Sequence, residues 1–79
     1  MTYDAELDVN TQSLENIFLK LKEILASKLG SEVSIKVLTN SQADANRVKA
    51  FVTMSGCQTS IDKKDECYII HITGSPCCA

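Results

Sequence analysis

The chain predicts an α/β (α+β) two-layer sandwich in the order β-α-β-α-β-β, a four-stranded mixed sheet with two helices on one face. Three observations carry this. Apolar residues alternate every second position at the start, middle and end of the chain, and recur every three to four positions in two longer stretches between, the periods of half-buried strands and amphipathic helices. Caps and turn residues fall between those stretches. At 79 residues there is room for one domain with one core, near the lower limit for a fold without staples.

Residues 3 to 9 set Tyr3, Ala5, Leu7 and Val9 against Asp4, Glu6 and Asp8, the pattern of a first strand. The period then changes. Leu14, Ile17, Phe18, Leu21, Ile24 and Leu25 fall on one helical stripe, with Thr11 or Ser13 as cap and Gly30 beyond the end. Val33, Ile35 and Val37 alternate with Ser34 and Lys36 as a second strand. Ser41 with Asp44 opens a second helix over roughly residues 42 to 55, with Val48, Phe51 and Val52 as its apolar stripe and Gly56 as its stop. Residues 57 to 74 read as a hairpin turning at Asp62-Lys63-Lys64-Asp65, with Tyr68, Ile70 and Ile72 on one face and Ile69 and His71 on the other.

Covering one sheet face with both helices predicts a core of Leu7, Leu14, Ile17, Phe18, Leu21, Ile24, Ile35, Val37, Val48, Phe51, Val52 and Ile70. The strand-helix-strand unit makes the first two strands parallel. A ferredoxin-like alternative needs a strand pair between the helices, and only one short strand fits there. The domain is expected to span residues 1–74, with 75–79 as a flexible cysteine-containing tail.

Composition narrows the function classes. A net charge of -2, scattered basic residues and only two Phe and two Tyr give no phosphate-binding field and no stacking platform, so no nucleic-acid partner is expected. No apolar run approaches membrane-spanning length, and the acidic start is unlike a secretory leader, which predicts a cytoplasmic protein with no membrane partner and with reduced thiols. A monomer is expected.

The element order, Leu7-Asp8 at the end of the first strand, and the spacing of Ser41, Phe51 and Gly56 in the second helix resemble the TusA/SirA-like family of small sulfur carriers over about residues 4 to 73. The resemblance implies the strand order one-two-four-three and, for an active member, a protein partner in a sulfur relay. It also marks a departure. In that family a C-P-x-P motif opens the first helix six residues after the Asp, where helix-terminal N–H groups favour the thiolate that carries the persulfide. Here Leu14, Glu15 and Ile17 stand at those positions.

Four cysteines remain to be weighed. Cys57 and Cys67, on opposite hairpin strands, are not cross-strand partners in the expected register and read as small, partly buried hydrophobes. Cys77 and Cys78 follow Gly74-Ser75-Pro76 beyond the last strand and are the candidate catalytic residues: persulfide acceptors, a redox pair or a soft-metal pair, against the alternative of an inconsequential chain end. No structural metal site is expected, because Cys67 and His71 lie about 13 Å apart on an extended strand. His71 projects from the face opposite the helices as a satisfied or solvated side chain, and Asp4, Glu6 and Asp8 read as a solvated row rather than paired catalytic carboxylates. Two function classes follow: a divergent sulfur-relay or thiol carrier using the tail, and a non-catalytic protein-interaction module. Neither requires a cofactor.

Overall fold

The computed structural model describes residues 3–76. Its elements are β1 (Ala5–Asp8), α1 (Leu14–Ser27), β2 (Val33–Thr39), α2 (Gln42–Met54), β3 (Gln58–Lys64) and β4 (Cys67–Gly74). The sheet order is β1-β2-β4-β3. β1 runs parallel to β2, and β4 is antiparallel to both of its neighbours, β2 and β3. The expected four-stranded mixed sheet with two helices is therefore present.

One core holds the layers together. Val33, Ile35 and Val37 of β2, Ile70 and Ile72 of β4, and Leu7 of β1 meet Ile17, Leu21 and Leu25 of α1 and Ala45, Val48 and Val52 of α2 in a single buried cluster. The α1 residues are spaced i, i+4, i+8, a narrow spine along the helix. Leu14, Phe18, Ile24 and Phe51, expected in the core, are only partly buried around it. Phe18 and Ile24 flank this spine on its two sides, and Leu14 lies on it but in the first turn of the helix, so these side chains remain at the rim.

Side chains close both helix starts. The Ser13 hydroxyl accepts from the Asn16 N–H at 3.2 Å and the Ser41 hydroxyl from the Asp44 N–H at 3.3 Å. α2 ends in a Schellman motif: the Gly56 N–H donates to the Thr53 carbonyl and the Cys57 N–H to the Val52 carbonyl, both at 3.1 Å. Gly56 has φ +91°, and Cys57 and Val52 are both buried, as this cap's apolar contact requires. Gly56→Ala should destabilise the domain by about 1 to 2 kcal/mol, because a Cβ is disfavoured at that φ. Chemical denaturation checks this; an unchanged midpoint would mean that α2 can end another way.

Two local expectations are corrected. The hairpin does not turn at residues 62 to 65: β3 continues to Lys64, which pairs with Cys67, and Asp65-Glu66 form a two-residue turn with Asp65 at φ +57°. Aspartate tolerates positive φ better than most residues, which lets the strands run closer to the tip than a four-residue polar loop would. Tyr3 does not lie on the Leu7 side. The chain bends at Asp4, whose N–H donates to the Ser34 carbonyl and whose carboxylate accepts from the Ser34 N–H at 2.8 Å. This interrupts the alternation and turns residue 3 over the opposite face.

Candidate functional site

Among the described residues, three places combine chemistry-bearing or exposed apolar side chains. The first lies on the open sheet face. Glu6 of β1, Lys36 of β2, His71 of β4 and Ser60 of β3 follow one another across the strand register, and the Lys36 ammonium is 3.9 Å from the Glu6 carboxylate. His71 is held from two sides: Nδ1 lies 3.0 Å from the Tyr3 hydroxyl and Nε2 lies 3.2 Å from the Asp62 carboxylate. The tautomer protonated at Nε2 satisfies both, with Tyr3 donating to Nδ1 and Asp62 accepting from Nε2. Lys36 also lies over the Tyr3 ring, 5.9 Å from its centroid.

This chain of groups pins residue 3 to the sheet. The sequence does not reveal it, because a turn centred two residues too early shifts the register; with the turn at Asp65-Glu66, Asp62 becomes the diagonal neighbour of His71. The three carboxylates of the first strand have separate partners: Asp4 binds the Ser34 N–H, Glu6 pairs with Lys36, and Asp8 accepts from the Asn10 N–H at 2.9 Å. Local structure accounts for the acidic row.

The second place is the set of thiols. Leu14 is the first residue of α1, directly after the Ser13 cap, so the helix start that would stabilise a thiolate presents an aliphatic side chain. Cys57 is buried in the core. It precedes β3 instead of lying within it, and a Cβ built on Gly74 would be 3.8 Å from its Cα. Cys57 thus sits beside the end of β4, while Cys67 begins that strand at the other end of the hairpin, half-buried, its thiol 3.8 Å from the Tyr68 carbonyl oxygen. Among the described residues no three His, Cys, Asp or Glu side chains group as a metal site.

Cys77 and Cys78 lie outside the described residues. The segment leading to them is not free as far as Pro76. Pro76 is fully buried, and its carbonyl accepts from the Gly30 N–H at 3.3 Å. Ser75 and Pro76 therefore belong to the folded body, at the end of the sheet where α1 stops. Fourteen helical residues, about 21 Å of rise, separate that end from the start of α1.

The third place is a shallow groove of about 320 Å³ on the outer surface of the helical layer, lined by Glu15, Phe18, Leu19, Lys22 and Phe51. The Phe18 and Phe51 rings stack across the two helices with centroids 5.2 Å apart. Leu19 is 61% exposed, an amount that sets it apart from the spine residues Ile17 and Leu21 on either side. No protein-family model, curated protein or solved structure matches the chain. Among the described residues no helix is long and apolar enough to cross a membrane.

Proposed function

We propose that this domain is a divergent TusA/SirA-like protein that works as a protein-interaction module, docking through the outer face of its helices and without a sulfur carrier at the family position. The observation that carries the reading is the groove of Phe18, Leu19 and Phe51 between the charges of Glu15 and Lys22. Apolar contact surface rimmed by charge is what a docking protein needs. Leu14 at the start of α1 supports the other half of the reading, since an aliphatic side chain there cannot carry a persulfide.

A photo-reactive residue placed at Leu19 should give protein adducts in cells, and the same residue at Thr73, exposed at the end of β4, should not. Equal labelling from both positions, or none from Leu19, would remove the docking reading.

A second reading keeps sulfur chemistry in the tail. In its favour, Pro76 is held at the Gly30 N–H, so Cys77 and Cys78 follow directly from a fixed point on the body, and a thiol there would be presented without disturbing the core. The reading takes the protein to be cytoplasmic, where such thiols stay reduced, with a protein of a sulfur relay as partner. The Cys77→Ser/Cys78→Ser variant should then lose sulfur loading from a persulfide donor while keeping its thermal midpoint. Undiminished loading excludes the tail as carrier.

A further inference from the structure

The charges around the groove select its occupant. Along α1 the outward stripe reads Glu15, Phe18, Leu19, Lys22, all four lining the groove. Residues seven apart lie within about 20° of the same helix face, so Glu15 and Lys22 border the same stripe. Glu15 stands three residues before Phe18 and four before Leu19; Lys22 stands three after Leu19 and four after Phe18. The stripe is therefore symmetric in position about a point between residues 18 and 19, and opposite in charge on its two sides.

A surface with that pattern is complementary to itself when rotated by a half-turn. In a two-fold interface, whenever residue i meets residue j, j also meets i. An antiparallel α1 from a second copy would place its Lys22 against Glu15 and its Glu15 against Lys22, with Phe18 and Leu19 of each copy facing Leu19 and Phe18 of the other. A parallel arrangement would oppose like charges. Within one chain the two groups are about 10 Å apart along the axis, and among the described residues the ion pairs are Lys36–Glu6 and His71–Asp62 only. Glu15 and Lys22 are both exposed and available to a second copy. Phe51, stacked on Phe18, widens the apolar strip beyond one helix, so that α2 flanks the contact.

We infer that the α1 face bearing Glu15, Phe18, Leu19 and Lys22, with Phe51 of α2 beside it, forms a two-fold homodimer through antiparallel α1 helices and reciprocal Glu15–Lys22 pairs between copies. The inference rests on the reading of the groove as a docking surface and names its occupant as the chain itself. One helix face is smaller than a standard protein interface, so the dimer is weak and concentration-dependent. The exposed ion pairs set the antiparallel orientation more than the affinity.

Sedimentation equilibrium of the full chain from about 10 μM to about 1 mM, the range in which an interface this small would assemble, tests this. Wild-type protein should shift from monomer to dimer. Glu15→Lys and Lys22→Glu, each alone, should weaken self-association about tenfold by placing like charges opposite each other. The Glu15→Lys/Lys22→Glu double variant should restore it, and an equimolar mixture of the two single variants should associate as a heterodimer. Far-UV circular dichroism verifies that each variant is folded. A wild-type monomer up to the highest concentration, single reversals that dimerise like wild type, or a double variant or mixture that fails to associate would each overturn the inference. Adducts from Leu19 with a different protein only, alongside a wild-type monomer, would leave the docking reading standing and exclude the second copy.

Discussion

Leu21→Ala should lower the unfolding free energy by about 2 to 5 kcal/mol, whereas Leu19→Ala, two positions away on the same helix, should stay within about 0.5 kcal/mol of wild type. Leu21 is completely buried between Ile17 and Leu25 on the α1 spine, and Leu19 is 61% exposed. Removing the Leu21 side chain takes away its transfer free energy and leaves a cavity that a sheet fixed by backbone hydrogen bonds fills poorly. Removing the Leu19 side chain leaves no cavity. In a domain of this size the total stability is on the order of 5 to 10 kcal/mol, so the first variant approaches global unfolding at moderate temperature. Urea titrations of both proteins, read as midpoints at constant slope, are the measurement. Equal effects would mean that α1 does not pack through the Ile17, Leu21, Leu25 spine.

Deleting residues 75–79 should cost about 2 kcal/mol, an effect that a simple trailing end would not show. Pro76 is fully buried and its carbonyl takes the Gly30 N–H. Its removal returns apolar area to water, at about 25 cal/mol per Å², and leaves the Gly30 N–H without that acceptor. The Cys77→Ser/Cys78→Ser variant is the control: it keeps Pro76, and an unchanged midpoint in it beside a lowered midpoint in the deletion would assign the loss to residues 75 and 76. If the deletion is as stable as the full chain, the Pro76 contact contributes nothing and the body ends at Gly74.

The outer groove was legible only in part. Phe18 and Phe51 stood out in the sequence as apolar stripe residues, but a stripe does not reveal which of its members a neighbouring layer will cover. The sheet covers Ile17, Leu21 and Leu25, and leaves Phe18 and Ile24 at the two sides of the stripe and Leu14 at its open end partly buried. Leu19, off the stripe, carried no signal until Phe18 and Phe51 were seen stacked beside it. On the open face, His71 was correctly oriented by alternation alone. Its partners Asp62 and Tyr3 depend on the length of the hairpin turn and on the bend at Asp4, which are local backbone choices that periodicity does not encode.

What the sequence by itself determined was the type and order of the elements and the face that β1, β2 and β4 turn to the helices. Period-two and helical patterns of apolar residues, with the serine caps and Gly56, act over a few residues and need no knowledge of the rest of the chain. Only the tertiary structure decided the hairpin register, the burial of Pro76 and its bond to Gly30, the meeting of Tyr3, His71 and Asp62, and the groove between Phe18 and Phe51. The register is set by a two-residue turn that periodicity does not encode; the others join residues far apart in the chain, and their contact follows from how the layers stack and where the turns close.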